Sequence, residues 1–140
     1  MTKYLGLDLG GTNIKVAVIE KIDDKWQIIK KDDQLTEAEG GPAHVVSRLA
    51  KLAKDNFVEF PDLAGVGVAV PGVFNNSDGT IVLFPNLPGP WKGFQALAPV
   101  AAATKLPTAL INDARAFTLA EAIMGAANGK KTVACYVIGT

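Results

Sequence analysis

One cysteine, one histidine and no excess of either charge are spread over these 140 residues. Each scarcity removes a class of explanation. A lone Cys135 makes no intrachain disulfide and fits a reducing compartment. Inside the apolar run "TVACYVIG" it reads as a small core residue. A lone His44, with no Cys or His at ligand spacing, offers neither a metal cage nor a Cys–His nucleophile pair, and reads as a surface position on a helix. Fourteen basic and fourteen acidic residues cancel, so nothing points to nucleic acid or an anionic membrane. No apolar stretch approaches the roughly 20 residues that span a bilayer. The first residues, "MTKYLGLDL", lack the apolar core of a signal peptide. A soluble cytoplasmic protein is expected. There is no repeat, low-complexity tract or interdomain linker.

What remains is a composition that is 49% hydrophobic and 20% charged, that of one globular domain. Lys3 to Leu9 reads as a buried strand, Ile14 to Ile19 as a second and "WQIIKK" as a third, more exposed one. Pro42 to Asn56 carries Val45, Val46, Leu49, Leu52 and Ala53 on one side, an amphipathic helix with proline near its start. Leu63 to Val70 is a Gly/Val-rich strand ended by "PG". Residues 71 to 93, rich in Gly, Pro and Asn, read as a long ordered loop with a short hairpin around "SDGTIVLF". Helices are expected over Phe94 to Thr104 and Asp113 to Ala127, and strands over Pro107 to Ile111 and Thr132 to Ile138. Three antiparallel strands followed by α/β crossovers make a mixed sheet with helices on both faces.

Between the first two strands stands "DLGGTN", a carboxylate and a tight polar turn. It is not a dinucleotide fingerprint, because its glycines are adjacent and a strand follows. "GAANGKKT" (125–132) is not a P-loop: its glycine spacing is one short and it lies between helix and strand. A hairpin turn can hold phosphate by another route. Backbone N–H groups around Gly10, Gly11, Thr12 and Asn13 can converge, with Gly and Asn tolerating positive φ and the glycines admitting close approach. Asp8 beside a phosphate is repulsive unless a cation separates them, which predicts Mg²⁺. The alternative is an ordinary turn with Asp8 bonded to backbone.

A second carboxylate follows in "LINDARAF". Asn112 and Asp113 stand where a strand ends and a helix begins. Both suit helix capping. The same place lies outside the carboxyl end of a strand, where open α/β sheets bind ligands. There Asp113 can take a proton from a substrate hydroxyl attacking phosphorus, and Asn112 can bond a sugar hydroxyl. In "FPNLPGPWKGF", Asn86 and Trp91 suit a polyol with an apolar face, or Trp91 simply packs. Gly72 either brings bare backbone to a ligand or turns the chain.

Together these segments resemble the ROK family of bacterial sugar kinases. "LGLDLGGTNIKVAVIE" is similar to its phosphate-1 segment, "GVGVAVPGVFN" to the strand ending in PG, and "PNLPGPW" to the sugar loop. "INDARAFTLAE" resembles the catalytic segment and "VIGT" the start of the phosphate-2 turn. The order matches and covers nearly the whole chain, with the glucokinase branch the most similar. The resemblance implies a ribonuclease-H-like, actin-like ATPase domain with a five-stranded mixed sheet, and transfer from ATP-Mg²⁺ to a hexose 6-hydroxyl. Asp113 would be the general base, Asn86 and Asn112 would hold sugar hydroxyls, and Gly72 would line the pocket. Gly10, Gly11, Thr12 and Asn13 would sit by the phosphates, joined by Gly139 and Thr140, with Asp8 serving the metal.

Two departures stand out. Arg115 occupies a position that is often Asn in the family. Residues 1–140 correspond to an N-terminal lobe only, so the second lobe, with the adenosine site and the family's zinc motif, falls outside them. The isolated chain is therefore expected to be inactive or nearly so and prone to self-associate, with a dimer in the full-length protein. Polyphosphate is the alternative donor. The competing functions are a non-catalytic sugar- or nucleotide-binding module of the same fold, and a sugar-responsive ROK regulator without its DNA-binding domain. A strand beginning at Lys3 and the lack of a basic patch speak against the regulator.

Overall fold

The computed structural model describes residues 2–138. Three antiparallel strands come first: β1 (Lys3–Leu9), β2 (Asn13–Ile22) and β3 (Lys25–Leu35). A single 3₁₀ turn (Ala38–Gly40) leads to α1 (Gly41–Glu59), then β4 (Leu63–Val70). The following loop contains a small hairpin, β5 (Val73–Phe74) with β6 (Ile81–Leu83). Then come α2 (Leu97–Thr104), β7 (Thr108–Asn112) and α3 (Asp113–Met124). The main sheet has the order β3-β2-β1-β4-β7, with β1, β4 and β7 mutually parallel.

Alternation along the strands decides the two faces. Leu5, Leu7 and Leu9 of β1, Ile14, Val16 and Val18 of β2, and Val66, Val68 and Val70 of β4 are buried on one face. Against them pack Val45, Val46, Leu49 and Ala53 of α1 and Val100 of α2. The long loop joins this core through Ile81, Phe84, Leu87 and Trp91. On the other face the register brings Ala17, Gly6, Gly67 and Ala109 into one row across four strands. That row and the inner side of α3 (Ala116, Leu119, Ala120, Ile123) bound a groove of about 1560 Å³.

The expected final strand does not form. Residues 132–138 make no ladder among the described residues, and Tyr136 and Ile138 are 90% and 95% exposed. A β-branched run becomes a strand only where a neighbour pairs with it. Cys135 is correspondingly half-buried and outside the core, not within it as its neighbours suggest. α3 ends at Met124, three residues short of the expected end, and α2 begins at Leu97 rather than Phe94. The Phe94 carbonyl is already committed to the Ile81 N–H, and Thr80 bridges Gln95, so the chain is still extended there. No helix among the described residues is long and apolar enough to cross a membrane.

Candidate active site

Three loops leave the carboxyl ends of the parallel strands side by side. Gly10 follows β1, Gly72 follows β4, and Asp113 follows β7. Asp8 pairs in register with Ala69, and Ala69 with Ile111. The two candidate carboxylates therefore flank β4: Asp8 stands two strand spacings, roughly 10 Å, from Ile111 in the backbone, and Asp113 follows Ile111 two residues on. Burial raises the Asp8 carboxyl above the ordinary 3.8; Lys15, directly opposite on β2, pulls it down, and Asp113 pushes it up further.

The turn after β1 is built by close approach. Neither Gly10 nor Gly11 adopts positive φ, and neither does Asn13, contrary to the expectation from their residue types. A Cβ on Gly10 would lie 2.8 Å from the Asn13 carbonyl oxygen, and one on Gly11 would lie 3.0 Å from the Asn86 carbonyl oxygen. So the glycines let the turn close on itself and let the Asn86 loop settle against it. The Gly10 N–H donates to Asn13 O at 2.9 Å. The Gly11 and Thr12 N–H groups find no acceptor among the described residues, and Thr12 is exposed. The Asn13 side chain turns toward β3 and donates to Asp33.

Asn86 is exposed, carried between the buried anchors Phe84 and Leu87. Trp91 does not offer a stacking face. It is 3% exposed, its ring centroid lies 4.8 Å from Phe84, and its indole N–H donates to Pro88 O at 3.0 Å. Gly72 has φ +103°, and a Cβ there would collide with the Leu83 carbonyl at 2.2 Å. The residue is thus required for the turn, and its carbonyl accepts from Asn112 Nδ2 at 3.0 Å.

Asn112 caps α3, its Oδ1 accepting from the Arg115 N–H at 3.2 Å. Capping, one of the two readings of this segment, is therefore present. It leaves one Nδ2 hydrogen and one Oδ1 lone pair of Asn112 for other partners. Asp113 is exposed, and its Oδ1 accepts from the Ala114 N–H at 2.7 Å. The Arg115 side chain is exposed. His44 is exposed as expected and pairs with Glu37 at 2.8 Å. Gly139 and Thr140, the expected start of a second phosphate turn, lie outside the described residues. One feature was not anticipated from sequence: Thr36, fully buried, bonds the turn from behind.

Asp8 can serve a magnesium ion. Mg²⁺ takes hard oxygen ligands, keeps several waters and is commonly held by one or two carboxylates together with substrate phosphates. A single half-buried carboxylate beside two unpaired N–H groups suits that arrangement. No group of three or more His, Cys, Asp or Glu is assembled as a cage among the described residues.

The mixed five-stranded sheet with its helices is the actin-like ATPase fold. Solved ROK hexokinases share it. The ROK family profile matches residues 4–140, and the chain belongs to the ROK family. It is 31% identical over 143 residues to a glucokinase of Halalkalibacterium halodurans, covering 98% of this chain and 41% of that protein. The ROK hexokinase of Thermus thermophilus superposes with a TM-score of 0.76 at 35% identity, over 91% of this chain and 40% of that one. The ROK glucokinase of Streptomyces griseus, solved with glucose and AMPPNP, gives 0.73 at 26% identity, over 91% and 38%. The chain thus spans about two fifths of the length of these relatives.

Proposed function

We propose that this chain is the N-terminal lobe of an ATP-dependent hexose kinase that phosphorylates the sugar 6-hydroxyl. The observation that carries the reading is the pair of carboxylates, Asp8 and Asp113, at the carboxyl ends of parallel strands on either side of β4. The Asn86 loop packed on Gly11 supports it, because it sets a sugar-binding segment against a phosphate-binding one. Membership of a family whose relatives include glucokinases supports it as well.

In this reading the hexose lies between Asn86 and Asn112, bonding through the exposed Asn86 amide and the remaining capacity of Asn112. Gly72 shapes the floor, and its carbonyl fixes the Asn112 side chain. Asp113 takes the proton from the attacking hydroxyl, so the oxygen becomes a better nucleophile as the bond to phosphorus forms. The oxygen of Asp113 that does not accept from Ala114 performs this role. The Gly11 and Thr12 N–H groups and the Thr12 hydroxyl hold phosphate oxygens. Asp8 would hold Mg²⁺, which neutralises charge on the phosphates when bound. Catalysis of this type is mostly positioning and electrostatic stabilisation. One lobe supplies only part of that, so the isolated chain binds ligands without appreciable turnover.

Titration of isotopically labelled chain with glucose, mannose, fructose and N-acetylmannosamine, followed by backbone amide shifts, tests the reading. Shifts concentrated at Gly72, Asn86, Asn112 and Asp113 for one sugar are expected, and that sugar names the substrate class. Shifts scattered elsewhere, or none with any of the four, would count against this sugar site.

A further inference from the structure

Resting on the phosphate-binding reading of the Gly10–Asn13 turn, we propose that Thr36 is a positioning residue: it holds that turn from behind so that the turn's free N–H groups face the phosphates. Thr36 follows β3 directly and is 0% exposed. Its hydroxyl donates to the Gly10 carbonyl at 2.7 Å, and its backbone N–H donates to the Thr12 carbonyl, also at 2.7 Å. Two carbonyls of a four-residue turn are thereby drawn to one residue. In a planar trans peptide the N–H points away from its own C=O, so holding the Gly10 carbonyl from behind turns the Gly11 N–H to the front, and pinning the Thr12 carbonyl limits rotation of the Gly11–Thr12 peptide that lies between. The Gly11 and Thr12 N–H groups are the ones without an internal acceptor.

Thr36 is itself fixed by α1. Arg48 donates from Nε and Nη2 to the Leu35 carbonyl at 3.1 and 2.7 Å. Its Nη1 lies 2.9 Å from Glu37 Oε1, and His44 Nε2 lies 2.8 Å from Glu37 Oε2. Glu37 holds φ at +54°, a conformation uncommon for a side chain of this kind. Residues on both sides of Thr36 are therefore clamped to one helix, and Thr36 passes that rigidity to the turn. The hydroxyl's hydrogen bond goes to Gly10, and among the described residues none goes to the Asn86, Gly72 or Asn112 segments, so its effect is expected on phosphate and not on sugar.

The test uses pyrophosphate with Mg²⁺ and, separately, glucose, each titrated against the unaltered chain, Thr36→Val and Thr36→Ser. Valine keeps the shape and strands the buried Gly10 carbonyl; serine restores the hydroxyl. Pyrophosphate affinity read at Gly11 and Thr12 should fall about tenfold in Thr36→Val, recover in Thr36→Ser, and leave the sugar affinity unchanged. Equal pyrophosphate affinity in all three chains, or parallel loss for sugar and pyrophosphate, would overturn the inference while leaving the phosphate site intact. Hydrogen exchange in the unaltered chain provides a readout independent of any variant's folding. The Thr36 N–H should exchange more slowly when pyrophosphate is bound, and unchanged protection at saturation would also overturn it. Absence of any pyrophosphate response at Gly11 and Thr12 in the unaltered chain would instead remove the phosphate reading on which the inference stands.

Discussion

Asp8 occupies a costly position for a carboxylate. Burial raises its proton affinity, and the nearby Asp113 adds to the effect, while Lys15 only partly offsets it. Because the folded chain binds this proton more tightly than the unfolded chain, ionised Asp8 opposes folding. The penalty is fully present above its folded titration and vanishes below the ordinary carboxylate value of 3.8. Asp8→Asn should therefore raise the melting temperature at pH 7, and the gain should shrink as pH falls toward 4. Thermal unfolding followed across that range decides it; a lower melting temperature at pH 7 would contradict the burial argument. At this scale the sequence was informative about chemistry and less so about conformation. Asp8 and Asp113 are legible because a carboxylate between apolar strands, or at a strand-to-helix junction, is unusual. The glycines of the turn suggested positive φ, yet they serve close approach to the Asn13 and Asn86 carbonyls. One letter carries both uses. Trp91 could stack or pack, and burial beside Phe84 and Phe94 settles on packing. Thr36 gave no signal, because a threonine after a polar strand is ordinary until its partners are known.

The strands of the main sheet were readable because their apolar residues alternate or run unbroken between turns. Their pairing follows from chain order, a meander and then crossovers. The exceptions have local causes. Residues 132–138 have strand-forming composition without a partner among the described residues. Pro99 is compatible with α2 because it falls in the first turn, where N–H groups have no intrahelical acceptor in any case. The junction of β7 with α3 is the element on which the site depends most. Asn112 caps the helix with one end of its amide and ties the β4 loop with the other. Asn112→Ala should cost about 1–2 kcal/mol, the loss of a cap with a second bond alongside. Urea unfolding should show a lower midpoint with an unchanged slope. A midpoint equal to that of the unaltered chain would mean that neither bond contributes to stability in solution.

On the scale of the whole molecule, one face of the sheet supports the core and the strand ends support the site. The Ala17–Gly6–Gly67–Ala109 row leaves a strip of small residues across the second face, with Tyr4 and Trp26 packed together at one end of it, and among the described residues α3 is the helix that lies along it. Neither the row nor the groove is visible in the sequence, because register, not composition, brings those four residues together. The candidate site draws on the ends of β1, β4 and β7 and on the loop from 71 to 93. Its members are spread over more than a hundred residues, which is why motif order conveyed it better than any single segment. The chain spans two fifths of its kinase relatives, so binding is a more direct test than turnover.

The proposed site sets sugar and metal-bound phosphate in adjacent positions, on the Asp113 side and the Asp8 side of β4. The most direct test replaces Mg²⁺ with paramagnetic Mn²⁺ in the presence of pyrophosphate and the hexose that the chain binds, and maps relaxation enhancement by NMR. The strongest broadening is expected at the Gly10–Asn13 amides, with clear broadening at Asp113 and greater effects on the C6 protons of the bound hexose than on those of its opposite end. Broadening centred on the exposed Asp32–Asp33 segment of β3, with the hexose C6 protons unaffected, would contradict that arrangement.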